Sequence, residues 1–323
     1  MEETTMHKTV RYLLAGGLLA IGAAHAATYP NGPIRLIVPF APGGGTDVVA
    51  RILAKEMSKE MSATIVVENK PGANGIIGTK AALQAEPDGQ TIVMTIEATI
   101  AMSPWLYKST GYTYRDFAGI SQVSSQPYLL VANPSVKADS LRSLSEASTQ
   151  HPDALNYATG ASAAFLAGEA LKNATSLNMM NIPYKGSGEA IADVVSGRVQ
   201  LMISSPVSVL PHIRQGQLKP IAVTSANRYH LLPDVPTVAE QGYPGFNVVG
   251  WYGLAARAGT PQEIIDKLQA ATQKALQSPE LKKQFQTAGV DPQGSTSKAF
   301  DALMKSETER WEQPIKAAGL YHQ

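Results

Sequence analysis

Ile34-Arg35-Leu36-Ile37-Val38 runs into Pro39-Phe40-Ala41-Pro42 and then into Gly43-Gly44-Gly45-Thr46-Asp47. The first five residues are a β-rich apolar run closed by proline. Beyond the glycines, Val48, Val49, Ile52, Leu53 and Met57 recur at helical spacing. A strand, a glycine turn and a helix in direct succession open a parallel α/β unit. The rhythm continues outward. Thr64 to Val67 reads as a second strand, closed by Asn69-Lys70-Pro71-Gly72. Ile76 to Leu83 reads as a helix stopped by Pro87-Asp88-Gly89, and Thr91 to Thr95 as a third strand. Short apolar strands of this kind suit a sheet covered on both faces.

The pattern restarts further along. Leu129 to Ala132 reads as a strand ended by Asn133-Pro134, followed by a helix over Leu141 to Thr149. Asn156 to Ala158 and Met180 to Pro183 read as strands, with helices over Ala163 to Leu171 and Glu189 to Ser196. Val199 to Ser204 and Leu218 to Thr224 read as strands, and Phe246 to Val249 as an extended lead into Trp251. From Pro261 the chain is predicted helical over 261–277, 279–288 and 296–317. Thr260-Pro261 and Ser278-Pro279 each fit a capping residue followed by proline at the first helical position. One α/β unit therefore occupies about 28–128 and a second about 132–246, with no low-complexity linker between them. Two such lobes frame a cleft, a favoured place for a ligand.

Composition narrows the function. Of 323 residues, 44% are hydrophobic and 16% charged, which suits a folded core rather than disorder. Lys plus Arg total 27 and Asp plus Glu 26, so no basic excess is available to neutralise nucleic-acid phosphates. The absence of cysteine excludes disulfides, thiolate zinc sites and cysteine nucleophiles. His151, His212, His230 and His322 stand at no metal-ligand spacing, so neither metal nor cofactor is expected. At the start, Lys8 and Arg11 precede an apolar run from Leu13 to Ala24 that ends in Ala24-His25-Ala26. Positive start, short apolar middle and small-residue end read as a secretory signal peptide over 1–26, with a membrane anchor as the alternative. The chain is thus expected in an exported compartment.

The glycine turn has a chemical use. A helix start carries unpaired N–H donors and partial positive charge, and glycines let a ligand approach them. Thr46 or Asp47 is a candidate cap. A nucleotide loop fails, since no Gly-Lys-Ser/Thr follows and position 48 is Val rather than a third small residue. Ala158-Thr159-Gly160-Ala161-Ser162 repeats the arrangement in the second unit, with Ser162 as its candidate cap. Two helix starts facing one cleft favour an anionic ligand. The rival reading is an exported serine hydrolase. Gly160-Ala161-Ser162-Ala163-Ala164 nearly follows G-x-S-x-G, with Ser162 as nucleophile and His212, His230 or His322 as base.

Further stretches carry a resemblance. Pro39 to Asp47, Glu68-Asn69-Lys70-Pro71-Gly72-Ala73-Asn74-Gly75, Pro183-Tyr184-Lys185-Gly186-Ser187-Gly188, Leu232 to Gly242 and Gly250-Trp251-Tyr252-Gly253 resemble, in order, the motifs of the Bug receptors. These are the substrate-binding proteins of tripartite tricarboxylate transporters. The resemblance covers essentially the whole chain after residue 26. It implies a two-lobed type II periplasmic binding protein fold, each lobe a mainly parallel sheet flanked by helices. Lobe 1 would comprise 27–130 plus 250–323 and lobe 2 131–249, with crossings near Tyr128–Ala132 and Phe246–Trp251. It also implies a periplasmic, monomeric receptor for a small carboxylate, serving TctA/TctB-type membrane components and having no catalytic residue. The ligand loops map onto Phe40, Ala41, Gly43, Gly44, Thr46 and Asp47, and onto Tyr157, Thr159, Gly160 and Ser162. Ala98 and Ser205, with Phe40, Glu97 and Tyr128, are candidates for the specificity wall. Glu97 would repel a second carboxylate unless it points away or pairs.

Overall fold

The computed structural model describes residues 29–150, 155–317 and 319–322; the expected signal segment, 1–26, lies outside them. From Gly32 onward the described residues build two five-stranded sheets. The first holds β1 (Ile34–Val38), β2 (Ile65–Asn69), β3 (Thr91–Ile96), β4 (Phe117–Pro127) and the last strand, β10 (Val249–Arg257), in the order β2-β1-β3-β10-β4. The second holds β5 (Leu129–Ala132), β6 (Asn156–Thr159), β7 (Met180–Pro183), β8 (Leu201–Ser204) and β9 (Lys219–Val223), in the order β7-β6-β8-β5-β9. β1 runs parallel to β2 and β3, and β6 parallel to β7 and β8. β10 is antiparallel to β3 and β4, and β5 to β8 and β9. The two sheets thus share one plan: a reversed strand sits fourth, and in each it is the strand with which the chain arrives from the other sheet. The entries pass through Tyr128 on the way out and through Val248 on the way back, where Thr224 ties the two together. Its Oγ1 donates to the Val248 carbonyl at 2.6 Å and itself accepts the Tyr128 N–H at 2.8 Å.

The helices, in chain order, are α1 (Gly45–Met61), α2 (Ile76–Leu83), α3 (Ser103–Leu106), α4 (Leu141–Gln150), α5 (Ser162–Thr175), α6 (Ser187–Val195), α7 (Pro206–Arg214), α8 (Gln262–Gln277), α9 (Pro279–Ala288) and α10 (Ser297–Ala317). The predicted helix is present as α1. Of its five predicted apolar positions Val49, Leu53 and Met57 have no exposed surface, as has Ala50, whereas Val48 and Ile52 are half-buried and line a groove. Ile34, Leu36, Ile37 and Val38 of β1 are likewise fully buried, as a strand covered on both faces must be. Each such aliphatic side chain contributes roughly 1.5–3 kcal/mol. α1 ends where Ser62 turns left-handed and its N–H reaches the Lys59 carbonyl.

The tail helices pack against elements of the first sheet and its α1. α8 packs on α1, α10 on β4. Phe300 of α10 lies edge-on to Trp251 at 5.3 Å and fills the space over Gly253, which has no room for a side chain. α9 also touches the second lobe: Arg214 at the end of α7 donates to the Thr287 carbonyl at 2.9 Å, and Tyr229 Oη to the Gly289 carbonyl at 2.6 Å.

Two elements were not foreseen from the sequence, and one expectation needs correction. β4 was not foreseen, because its buried positions include Ser121, Ser124 and Gln126, satisfied by hydrogen bonds rather than apolar contact. α7 was not foreseen; it carries two prolines, Pro206 at a first-turn position, where no N–H is needed, and Pro211 inside the helix. Pro261 is the cap of α8 rather than its first residue, whereas Ser278 caps α9 as expected and accepts the Leu281 N–H at 3.4 Å.

Candidate ligand-binding cleft

Each lobe presents the ends of its parallel strands to the other. After β1 the chain turns through the glycines into α1; after β6 it turns through Gly160-Ala161 into α5. β7 leads through Lys185-Gly186 into α6, and β8 through Ser205 into α7. The four turns surround one cavity of about 310 Å³, near the lower end of ligand-pocket sizes. Its floor is made where the chain crosses between sheets, by Gln126, Tyr128, Trp251 and Tyr252.

The helix starts share a feature. Gly44, Ala161, Gly186 and Ser205 are the residues preceding α1, α5, α6 and α7, all with extended backbone, and none makes a side-chain cap bond. The first turns of all four helices are therefore left without the side-chain acceptor that usually serves them. Each is electropositive, worth about 0.3–1 kcal/mol to a nearby anion and up to ~2 when partly buried. Ser205 and Ser208, from the second lobe, crowd Gly45 of the first together with the Tyr252 hydroxyl. A Cβ on Gly45 would stand 2.8 Å from that hydroxyl, and 3.1 and 3.2 Å from the two serine oxygens. Tyr252 Oη donates to Ser205 Oγ at 3.4 Å, while Ser208 Oγ is buried and has no partner among the described residues.

The expected caps are placed differently. Thr46 and Asp47 lie inside the first turn of α1, after Gly44; Ser162 is the first residue of α5, after Ala161. Asp47 is buried beneath the glycine turn. Its Oδ2 accepts from the Gly43 N–H at 2.9 Å and from Arg51 Nε at 3.0 Å, and its Oδ1 accepts from Asn69 Nδ2 at 2.8 Å. Burial alone would raise its pKa; bonds from Arg51, Gly43 and Asn69 outweigh that and hold the carboxyl below its ordinary 3.8. Asn69 also donates to the Phe40 carbonyl at 3.0 Å, so two side chains pin the turn from behind.

Of the sequence-derived ligand residues, Phe40, Ala41, Gly44, Thr46, Gly160 and Ser205 come together on the cavity wall. Others stand elsewhere. Gly43 faces a separate groove on the outer side of α1, and Ala98 is fully buried behind the wall. Tyr157 is fully buried, with its hydroxyl donating to Glu169 at 2.9 Å. Thr159 donates to Asn181 Oδ1 at 2.8 Å and lines a neighbouring crevice with Asn74 and Tyr107. Sequence reasoning passed over Lys185, Gly186, Ser187 and Ser208. The first three follow a strand and precede a helix, the same signal that singled out the glycine turn. Ser208 gives no local signal, since α7 itself was not foreseen.

Glu97 supplies the cavity's buried acid. It follows β3, is 2% exposed, and belongs to the wall. Its Oε2 accepts the Trp251 N–H at 2.9 Å, and its Oε1 accepts the Tyr128 hydroxyl. It does pair, with two uncharged donors. Burial raises its pKa from the ordinary 4.5 to about 7, against the lowering effect of those two bonds. Burial, together with the neighbouring Glu97, pushes the Tyr128 hydroxyl well above its ordinary 10. Tyr252 is pushed up by burial to about 12.

None of the three histidines named as the hydrolase's base lies on this wall. His212 meets Gln217 at 2.7 Å beside the outer groove, His230 stands 3.4 Å from Asp291, and His322 stacks on Tyr321. Two lobes around a small, donor-rich cavity at strand ends define a solute-binding protein. Residues 49–320 match the family described as "Tripartite tricarboxylate transporter family receptor". BugT of Bordetella pertussis is 37% identical over 298 residues, covering 91% of each chain. The solved structure of the periplasmic binding protein BugD matches with a TM-score of 0.86 at 35% identity, over 91% of this chain and 100% of that one. A protein of R. palustris solved with adipate matches with a TM-score of 0.86 at 30% identity, over 90% of this chain and 98% of that one. The chain belongs to the tripartite tricarboxylate transporter receptor family, whose members are substrate-binding receptors rather than enzymes.

Proposed function

We propose that this chain is an exported, periplasmic and monomeric receptor that captures a small organic carboxylate between its lobes and hands it to a TctA/TctB-type membrane transporter. The observation that carries the reading is the convergence of four uncapped helix starts, two glycine-led, on one small cavity. An acid docks on the N–H groups near Gly44, Gly45 and Thr46. The donors after Gly160 and Gly186, and the hydroxyls of Ser205 and Ser208, take its remaining lone pairs. Lys185 adds the one cationic side chain that lines the cavity among the described residues. The ligand touches both lobes together only when they approach, so its extra affinity for the closed form shifts the population there. The lobes on this reading are 27–130 with 250–323, and 131–249, after removal of 1–26. A relative holding adipate supports the ligand class. Among the described residues no helix is long and apolar enough to cross a membrane.

Calorimetry and thermal shift against a panel of carboxylic acids, each beside its primary amide, test the proposal. A bound acid at a hundredfold excess over Kd adds about 2.7 kcal/mol to stability. Amides that bind as well as their acids would refute it. Hydrolysis of ester substrates that disappears in Ser162→Ala would point to the enzyme instead.

A further inference from the structure

Glu97 is the buried ionisable group of the cavity wall that carboxylate capture leaves unused; the wall's other acid, Glu189 on the first turn of α6, is exposed to solvent. The fold goes to some length to keep it there. Gly250 on the returning chain has no Cβ, and one placed there would stand 2.6 Å from Glu97 Oε1 and 2.8 Å from the Tyr128 hydroxyl. Only glycine lets the strand pass the carboxyl. The two bonds it accepts come from the two crossings, Tyr128 on the outgoing one and Trp251 on the return. With its own backbone N–H, these make three donors for a carboxylate that can accept about four bonds, so acceptor capacity remains on a group that lines the cavity. The other ionisable groups that face it are Tyr252 from β10 and Glu307 from α10, neither a cation.

We propose, resting on the carboxylate reading above, that Glu97 selects the ligand's second polar group: the solute is a monocarboxylate bearing an ammonium or hydroxyl donor, and a second carboxylate is disfavoured. The cavity is then bipolar. Helix starts and Lys185 take the anionic end, and Glu97 takes the donor end. An ammonium there makes a charge-assisted bond to a carboxylate already held in place. A second carboxylate puts two like charges side by side in a small, poorly hydrated space, so one of them must take up a proton before the diacid fits.

The test compares the C4 to C6 diacids succinate, glutarate and adipate with 4-aminobutyrate, 5-aminopentanoate, 6-aminohexanoate and the matching hydroxy acids. Calorimetry is run on the wild-type protein and on Glu97→Gln, whose amide can accept from Trp251 and donate to Tyr128. The wild type is expected to bind the donor-bearing acid at least tenfold tighter than the diacid of equal length. Glu97→Gln is expected to erase that preference, by gaining the diacid tenfold or losing the amine tenfold. An unchanged ratio in the variant overturns the role of Glu97. Should the variant not fold, the wild type alone decides. At pH 7.5, in buffers of differing ionisation enthalpy, diacid binding should take up close to one proton and amino-acid binding none. Equal uptake overturns the proposal. If no acid of the series binds the wild type, the carboxylate reading itself falls, which is a different failure from an unchanged ratio.

Discussion

Replacing Glu97 by Gln should stabilise the ligand-free protein at alkaline pH and leave it nearly unchanged at acid pH. In the unfolded chain the carboxyl loses its proton near 4.5; folded, with 2% exposure and only uncharged donors, it holds the proton to about 7. Between those values the native state binds more protons than the unfolded state, so stability falls as pH rises. The contribution is complete below 4.5, declines across the window, and is gone above about 7. A shift from 4.5 to about 7, at 1.36 kcal/mol per unit, amounts to about 3 kcal/mol. Glutamine cannot titrate, and it keeps a bond with Trp251 and another with Tyr128. The variant should therefore match the wild type near pH 4.5 and exceed it by about 3 kcal/mol at pH 8. Urea unfolding at half-unit pH steps measures the difference, in which every other titrating group cancels. A difference that stays flat from pH 4.5 to 8 would refute the burial argument. A difference of the opposite sign would mean that the ionised carboxylate is what the crossings hold.

Asp47→Ala should cost about 1–3 kcal/mol at pH 7, because it strands the Gly43 N–H and the Asn69 amide beneath the turn. Its depressed pKa means the contribution is present above 3.8 and lost as pH falls through the folded value, so denaturant midpoints of the two proteins should approach each other toward pH 3. Phe300→Ala should cost roughly 3–5 kcal/mol by opening a void between Trp251 and Gly253, read from chemical denaturation; a loss under 1 kcal/mol would mean α10 is not fixed to the sheet there. Gly45→Ala should weaken capture of an acid at least tenfold with little change in Tm, because its methyl meets Tyr252, Ser205 and Ser208 where the lobes touch; unaltered affinity would show that closure does not need that contact.

What the sequence made legible follows from how local each signal was. β1, the glycine turn and α1 announce themselves within one run of residues, since apolar periodicity and the glycines act on their immediate neighbours. The second-lobe turn at Gly160-Ala161 was visible for the same reason. β4 was hidden because its buried face carries polar residues, Ser121 bonded to Ser295 far along the chain and Gln126 to Ser124, and α7 because a proline that starts a helix looks like one that ends a helix. The role of Asp47 depends on Asn69, 22 residues away, and that of Glu97 on Trp251, 154 residues away. Glu97 could be marked as a charge on a strand end that would either repel or pair. Only the folded chain brings Tyr128 and Trp251 to it. The same holds for Ser208 and Tyr252, which reach Gly45 from different strands and helices.

The central claim is that main-chain donors from both lobes hold one acid together. Following backbone amide signals by NMR while titrating a bound carboxylic acid tests it most directly. The account predicts that Gly45 and Thr46 of the first lobe and Ala163 and Gly188 of the second shift together and saturate at one concentration. Shifts confined to a single lobe, or to the outer groove near Gly43 and His212, would contradict it.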